Sequence, residues 1–459
     1  MPDLASMGGL NTSLLIGTQA LEAAQGALTA TSNNIANSNT PGYTREIPQF
    51  AESEQSQSGN EIIGGGVSLT GLQSVRDELL NLQIQSQTSL QSSVDTQSSS
   101  LQQIQTYFSS TGTDIASALS AFSSDLTQLS ASPSSSAVQQ EVLSSGQNLA
   151  NAFNNTASGL TSAQSSADTQ VTQTVSQINS LTTQIAQLNG QISQLTADGQ
   201  SGGTVQDQRD ELVQQLSQLT GISVMQGSDG ETITTGNGTP LVMGNSSYSL
   251  QTTTGSDGMQ HVLDSNGNDI TSSIQGGQLG GAIQIRDQVI PGYLAQLNTL
   301  ASQFAASFNA AQAEGFDSNG NAGQNFFSVP ATGAAAGMSV AISDPSLIAI
   351  SSDGSAGSNG NVANLSASLT SALPSGQTVS QAYANLVDQV GTAASNASTQ
   401  STAIGQNLLQ LTNQQSSVSG VSIDEETTNL IRFQTAYEAA ARIVSTIQQL
   451  NTDTINMIS

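Results

Sequence analysis

Two heptad seams, one near each end of the chain, constrain the fold more than any other feature of the sequence. Leu10, Leu14, Gly17, Leu21, Ala24, Leu28, Thr31 and Ile35 follow one another in alternating steps of four and three. That is the spacing of a and d positions on a helix that packs lengthwise against another. Leu430, Phe433, Tyr437, Ala440, Val444, Ile447, Asn451 and Thr454 keep the same rhythm, with Ile443, Leu450 and Met457 widening the stripe. The small residues Gly17 and Ala24 alternate with leucines, which lets a second helix approach closely. One such seam alone reads as ordinary core packing; two at opposite ends, each needing a partner, favour pairing with each other and self-assembly. The second helix also announces its start. Ser422 with Glu425 three residues on forms a capping box, and Asp424, Glu425 and Glu426 suit the positive end of the helix dipole.

Between the seams the apolar residues keep helical spacing over 72–130, which ends at the SASPSSS break, and again over 137–167, 168–198 and 205–220. The polar faces of these segments are Ser, Thr, Gln and Asn, several of them indifferent helix formers, so tertiary packing must hold them. Residues 222–285 change character: short alternating runs such as ETITT and HVLD are separated by DG, GNG and NGN, the turn chemistry of hairpins. Helical spacing returns at 286–314, a strand and turn fit 338–352, and a last long helix fits 376–416. The expected fold is mainly α with an inserted β domain: a terminal coiled coil (1–45 and 419–459), an elongated helical body (46–221 and 286–418) and a small outer β domain (222–285).

Composition removes whole classes of function. The chain has 33 acidic and 6 basic residues, a net charge of −27, and no Lys; the bases are Arg45, Arg76, Arg209, Arg286, Arg432 and Arg442. Six dispersed arginines cannot neutralise a run of phosphates, which excludes sequence-independent nucleic-acid binding, and an anionic membrane surface repels such a chain. With no Cys there is no thiolate chemistry and no Cys-ligated metal, and the single His261 has no second His with which to form a metal pair. DSNGND at 264–269 and DSNGN at 317–321 lack the Gly and distal Glu of a calcium loop and read as turns; GGGV at 64–67 lacks the Lys of a phosphate loop. The expectation is no catalytic, metal or cofactor site. The first residues have no basic region ahead of an apolar core, and no window approaches the roughly 20 apolar residues of a membrane span, so neither a cleavable signal peptide nor a membrane anchor is expected.

One stretch is richer than a plain helix stop requires. In NNIANSNTPGYTRE (33–46), Asn33, Asn34, Asn37 and Asn39 offer side-chain amides to cap carbonyls and form turns. Pro41 and Gly42 end the helix, and Tyr43 and Arg45 follow in extended chain. From Leu28 to Arg45 this segment resembles the N-terminal motif of the bacterial flagellar axial family of rod, hook and hook-associated proteins. SGVSIDEETTNLIRFQTAYEAAARIVSTIQQLNTDTINMIS resembles their C-terminal helix. The interior stretches at 64–80, 129–154, 178–192, 207–224 and 276–323 are similar to the hook-associated branch that forms the junction between hook and filament. Gln139 and Gln140 stand near where relatives often carry an Arg. The chain is short for that branch, which implies that an extra outer domain is absent.

The resemblance implies a structural subunit exported through the flagellar type III apparatus, self-assembling in a ring. Its implied partners are the hook protein, a second junction protein on the filament side and an export chaperone. Its implied assembly seam is Leu14, Leu21, Leu28, Ile35, Leu430, Phe433, Tyr437, Val444 and Ile447, expected to become buried only on assembly. A hook or rod subunit is the nearer alternative and is disfavoured by the helical interior. A secreted coiled-coil adhesin would explain the Ser, Thr and Gln bias but not the motif at 33–46.

Overall fold

The computed structural model describes residues 4–54, 56–58, 61–109, 112, 114–227 and 230–458. The extreme ends of the expected terminal domain (1–3 and 459), and the Asp of the DG turn, Asp229, lie outside them. The chain divides into two compact units, one made of 1–88, 178–250 and 406–459, the other of 89–177 and 251–405.

The first unit opens with α1 (Leu4–Ala36), then β1 (Glu46–Glu52), β2 (Ser56–Ser58), β3 (Glu61–Ile63) and β4 (Val67–Ser74). β1 pairs antiparallel with β4, Glu46 opposite Ser74 and Glu52 opposite Val67, with an irregularity at Gln49/Phe50. These strands correct the expectation of helical body from residue 46. Both lie against α1, and apolar Phe50 and Leu69 stand opposite each other across the pair. α2 (Glu78–Phe108), α4 (Ser136–Ala197) and α9 (Val379–Ser419) each contribute residues to both units. α4 is one helix of 62 residues where the sequence suggested two segments, because Ala167 and Asp168 carry no helix-breaking residue with them. α5 (Gly203–Leu219) then leads into β5 (Ile222–Gly227), β6 (Gly230–Thr235), β7 (Pro240–Met243) and β8 (Ser246–Ser247), a four-stranded sheet in that order. Ile233, Leu241 and Val242 are fully buried within it. Asn189 of α4 is also fully buried and its amide donates to the backbone carbonyls of Glu231 and Gly244, so one side chain fixes two strands to the helix. α10 (Ile423–Ile458) completes the unit.

The second unit holds α3 (Ile115–Ala131), the hairpin β9 (Gln251–Thr254) and β10 (Gln260–Leu263), α6 (Gly277–Gln284), α7 (Ile290–Ala313), the two-residue strands β11 (Phe327–Ser328) and β12 (Ser339–Val340), and α8 (Val362–Thr370). The β region expected to reach residue 285 ends at Leu263; 277–284 is helix, hidden in the sequence by its run of glycines. Between α6 and α7 the ladder widens to one π turn over Ile285–Val289, in which the Ile290 amide donates to the Ile285 carbonyl. Pro291 follows immediately and has no amide to donate, which accounts for the shift in the ladder. The core is aromatic: Phe122, Phe304, Phe308, Phe326 and Phe327 are buried with ring centroids as close as 4.8 Å. Gln139 is buried and its amide donates to the Pro133 carbonyl at 2.7 Å, a helix-start contact that needs no charge. Asp264 and Asp317 each accept two backbone amides of their own loops, as the turn reading anticipated. His261 lies between Asp269 (2.6 Å) and Asp257 (3.3 Å), more partnered than a plain solvent-facing strand residue.

Candidate functional site

The two seams meet. α1 and α10 pack along each other and run antiparallel, since Gly17 faces Val444 while Asn34 reaches Glu426. Thr31 is 1% exposed and Ala24 7%; Phe433, Ala440 and Ile447 are buried opposite, and Leu14, Leu21, Leu28, Ile35, Leu430, Tyr437 and Val444 are half-buried. A β-carbon at Gly17 would stand 3.0 Å from Val444 Cγ2, so the glycine sets the closest approach of the helices. The neighbouring stripe Ala23, Ala27 and Ala30 is buried as well, on a helix that also lies against β1 and β4, and the ring of Phe50 on β1 sits 6.3 Å from that of Phe433. The expectation that the seam is buried only on assembly is thereby corrected: the partner of each seam is the other seam of the same chain. Ile443, Leu450 and Met457 do not widen the buried stripe. They are 53%, 48% and 80% exposed.

Where α1 ends, the asparagine-rich motif becomes a hydrogen-bonded lock. Asn34 is 1% exposed. Its Nδ2 donates to the Glu46 carbonyl (2.8 Å) and to Glu426 Oε2 (3.1 Å), and its Oδ1 accepts from the Glu46 amide (3.0 Å) and the Tyr43 hydroxyl (2.8 Å). All four hydrogen-bonding positions of the amide are used. Arg45 donates through Nε to Glu426 and through Nη1 to Glu425, both at 2.8 Å, and its backbone amide donates to the Ser419 carbonyl. Burial and the surrounding carboxylates push the Tyr43 hydroxyl up to about 12, so it remains a donor. The capping box is half present: the Glu425 amide meets Ser422 Oγ at 3.5 Å, but the Glu425 carboxylate is turned to Arg45. Asn37 caps the Asn33 carbonyl and accepts from Thr40, and Gly42 takes a φ of 77° that admits few other residues. Asn33, Asn39 and Pro41 are exposed and outside the lock.

A second charged layer joins the motif to α5. The Thr44 amide donates to Asp207, and Arg76 bridges Asp207 (2.6 Å) and Asp210 (2.5 Å). Arg209 bridges Asp210 (2.9 Å) and Glu231 (2.8 Å). Sequence reasoning named none of Glu46, Asp207, Asp210 or Glu231, although Arg45, Arg76, Arg209 and Arg286 are each followed directly by an acidic residue. Burial raises Glu46 and Asp207, and it pushes Glu231 up to about 7 against the pull of Arg209. An acid whose folded value exceeds its ordinary 4.5 binds its proton more tightly in the native state. Its contribution to stability is therefore greatest at low pH and falls as pH rises from 4.5 through about 7. Glu231→Gln is expected to flatten the stability-pH curve in that window, measured by urea denaturation at each pH; an unchanged slope would assign the fall to other groups. Among the described residues no three His, Asp or Glu side chains are grouped to hold a metal ion.

The comparisons with known proteins agree with this geometry. Residues 14–44 match the model of the flagella basal body rod protein, and 413–457 that of the flagellar basal body rod FlgEFG protein C-terminal region. These are the helices that pair, and they define the class: a flagellar axial protein. Residues 101–327 match the flagellar hook-associated protein FlgK helical domain. Flagellar hook-associated protein 1 of Bacillus subtilis is 30% identical over 95% of this chain and 96% of its own. That of Escherichia coli is 27% identical over 95% and 98%. The solved hook junction protein FlgK of Burkholderia pseudomallei shares the fold, with a TM-score of 0.67 and 21% identity over 74% of this chain and all of its own. The chain belongs to the flagellar hook-associated protein 1 family, a structural component of the flagellum.

Proposed function

We propose that the protein forms the junction between hook and filament as a non-catalytic subunit, joined in a ring through its terminal helices. The observation that carries this reading is the α1–α10 pair. The two ends of the chain are brought together and locked by Asn34, Arg45 and Glu426 into one building block, whose two ends are also the segments matching rod-protein models. In this reading the terminal pair forms the inner tube around the export channel, the helical body the next shell, and the β region the outer surface. The subunit leaves the cell through the flagellar type III apparatus. It is handed on by an export chaperone and contacts hook protein on one side and a second junction protein on the other. The absence of Cys and Trp and the scarcity of charge suit passage as an unfolded chain. The mechanism is mechanical: side chains bury apolar surface at roughly 25 cal/mol per Å², and the ring converts that into a platform joining two tubes.

Deleting the gene in its host tests the reading. Bare hooks of normal length, with flagellin in the medium, are the expected result by electron microscopy; absent or malformed hooks would place the subunit in rod or hook instead. Leu28→Asp or Val444→Asp is expected to abolish filament attachment in that strain while the second unit keeps its melting transition. A variant that still builds filaments would remove the seam from the assembly.

A further inference from the structure

The charged layer of the first unit carries more acid than base. Glu46, Asp207, Asp210 and Glu231 share two guanidinium groups, those of Arg76 and Arg209. The Glu46 carboxylate lies against Gly203 and Ser74, while its backbone amide and carbonyl belong to the lock at Asn34. The bridges form one line. Glu231 Oε1 accepts from Arg209 (2.8 Å), Arg209 reaches Asp210 (2.9 Å), Arg76 joins Asp210 (2.5 Å) to Asp207 (2.6 Å), and Asp207 accepts the Thr44 amide (3.1 Å). The line runs from β6 through α5 to the exit of α1, all within one unit.

One end of the line is open. The Glu231 side chain is 7% exposed, and its Oε2 is buried without a hydrogen-bond partner among the described residues. Around it stand Arg209 and Asp210 of α5, Arg76 just ahead of α2, Glu78 at the start of α2 on the same cleft, and Gln226 of β5, whose amide donates to Oε1. Asn189 of α4, already bonded to the Glu231 carbonyl, holds a buried Oδ1 that also lacks a partner. An ionised Oε2 there has neither water nor a donor, which is costly; a protonated one is itself a donor. The change is passed along the line. Without the Glu231 charge, Arg209 is left to Asp210, and Arg76 is left to Asp207, which holds the Thr44 amide. With that charge, Arg209 is drawn to Glu231, Asp210 leans on Arg76, and Asp207 loses compensation.

We propose that this line of bridges is a proton-sensitive clasp: a proton on Glu231 tightens the hold of Asp207 on the exit of α1, and loss of that proton eases it. The clasp belongs to the single subunit and does not depend on the assembly reading above. The test is hydrogen exchange of the full-length protein at pH 5 and pH 7, read as protection factors so that the intrinsic pH dependence of exchange is divided out, with circular dichroism as the folding control. An acid raised from 4.5 to about 7 makes its own exposure about thirtyfold easier over that interval. Opening is expected to rise by that factor in β6 and at least threefold at 42–47, where the line of bridges makes the connection, while α3 and α7 of the second unit stay level. Glu231→Gln copies the protonated form and should fold; it is expected to level both responses. Asp210→Asn keeps an acceptor for both arginines but removes the charge between them, and is expected to keep the response in β6 and lose it at 42–47. No pH response at 42–47 in the wild type, a response there that survives Glu231→Gln, or an Asp210→Asn variant in which both responses persist or both vanish would overturn the proposal.

Discussion

Asn34→Ala is expected to destabilise the protein by roughly 3–5 kcal/mol, since each buried group left without a partner costs about 1–3 kcal/mol and more when charged. The substitution orphans the Glu46 amide and carbonyl, the Tyr43 hydroxyl and one oxygen of Glu426, and Glu426 is 2% exposed, with little water to replace the lost contact. Asn34→Asp is expected to be worse, because it sets a carboxylate oxygen against Glu426 where an amide now donates. Hydrogen exchange reads the outcome locally. α1 and α10 should lose protection while α3 and α7 in the second unit keep theirs, and undiminished protection along α1 would mean that the apolar seam alone holds the pair.

The second large effect is expected in the other unit. Arg286 is 1% exposed, yet its guanidinium donates to Asp168 (2.7 Å), the Gln260 carbonyl (2.6 Å) and both oxygens of Asp287. Asp168 in turn accepts the Gln260 amide, so one arginine on the π turn ties α4 to β10. Arg286→Ala removes one side of a buried pair, for which about 3–5 kcal/mol is the usual loss; the melting temperature should fall on the order of 10 °C. Arg286→Lys should recover little, since an ammonium cannot serve three partners in the plane of a guanidinium fork. A melting temperature unchanged in Arg286→Ala would show that β10 is held by its hairpin partner alone.

What could be read from the sequence follows from the range of the interactions. The seams were legible because a 3-4 rhythm is local and repeats, and the residues it selected are those buried or half-buried between α1 and α10. The hairpins around 230–263 were legible because Gly-containing turns are short-range chemistry. β1 was not, since EIPQFAE carries a Pro and exposes most of its length, which blurs the alternation. α6 was hidden by Gly276, Gly277, Gly280 and Gly281, poor helix formers that the packed interior tolerates. The lock was half legible. Asn34 and Arg45 stood out as excess polarity, but Glu426 already had an adequate local explanation in the helix dipole, and no local pattern announces a partner hundreds of residues away. The acidic residue following each internally paired arginine was the one available clue to the charged layer.

The contact between Asn34 and Glu426 spans 392 positions, and this orders events in time. A chain made or threaded from its N-terminus presents α1 long before α10 exists as its counterpart, so the closing step waits until the first turn of α10 has emerged. An unfinished or clipped polypeptide could fold its interior yet never fasten its two ends. A polypeptide that stops short of Glu426 lacks this contact altogether, whatever the state of its interior.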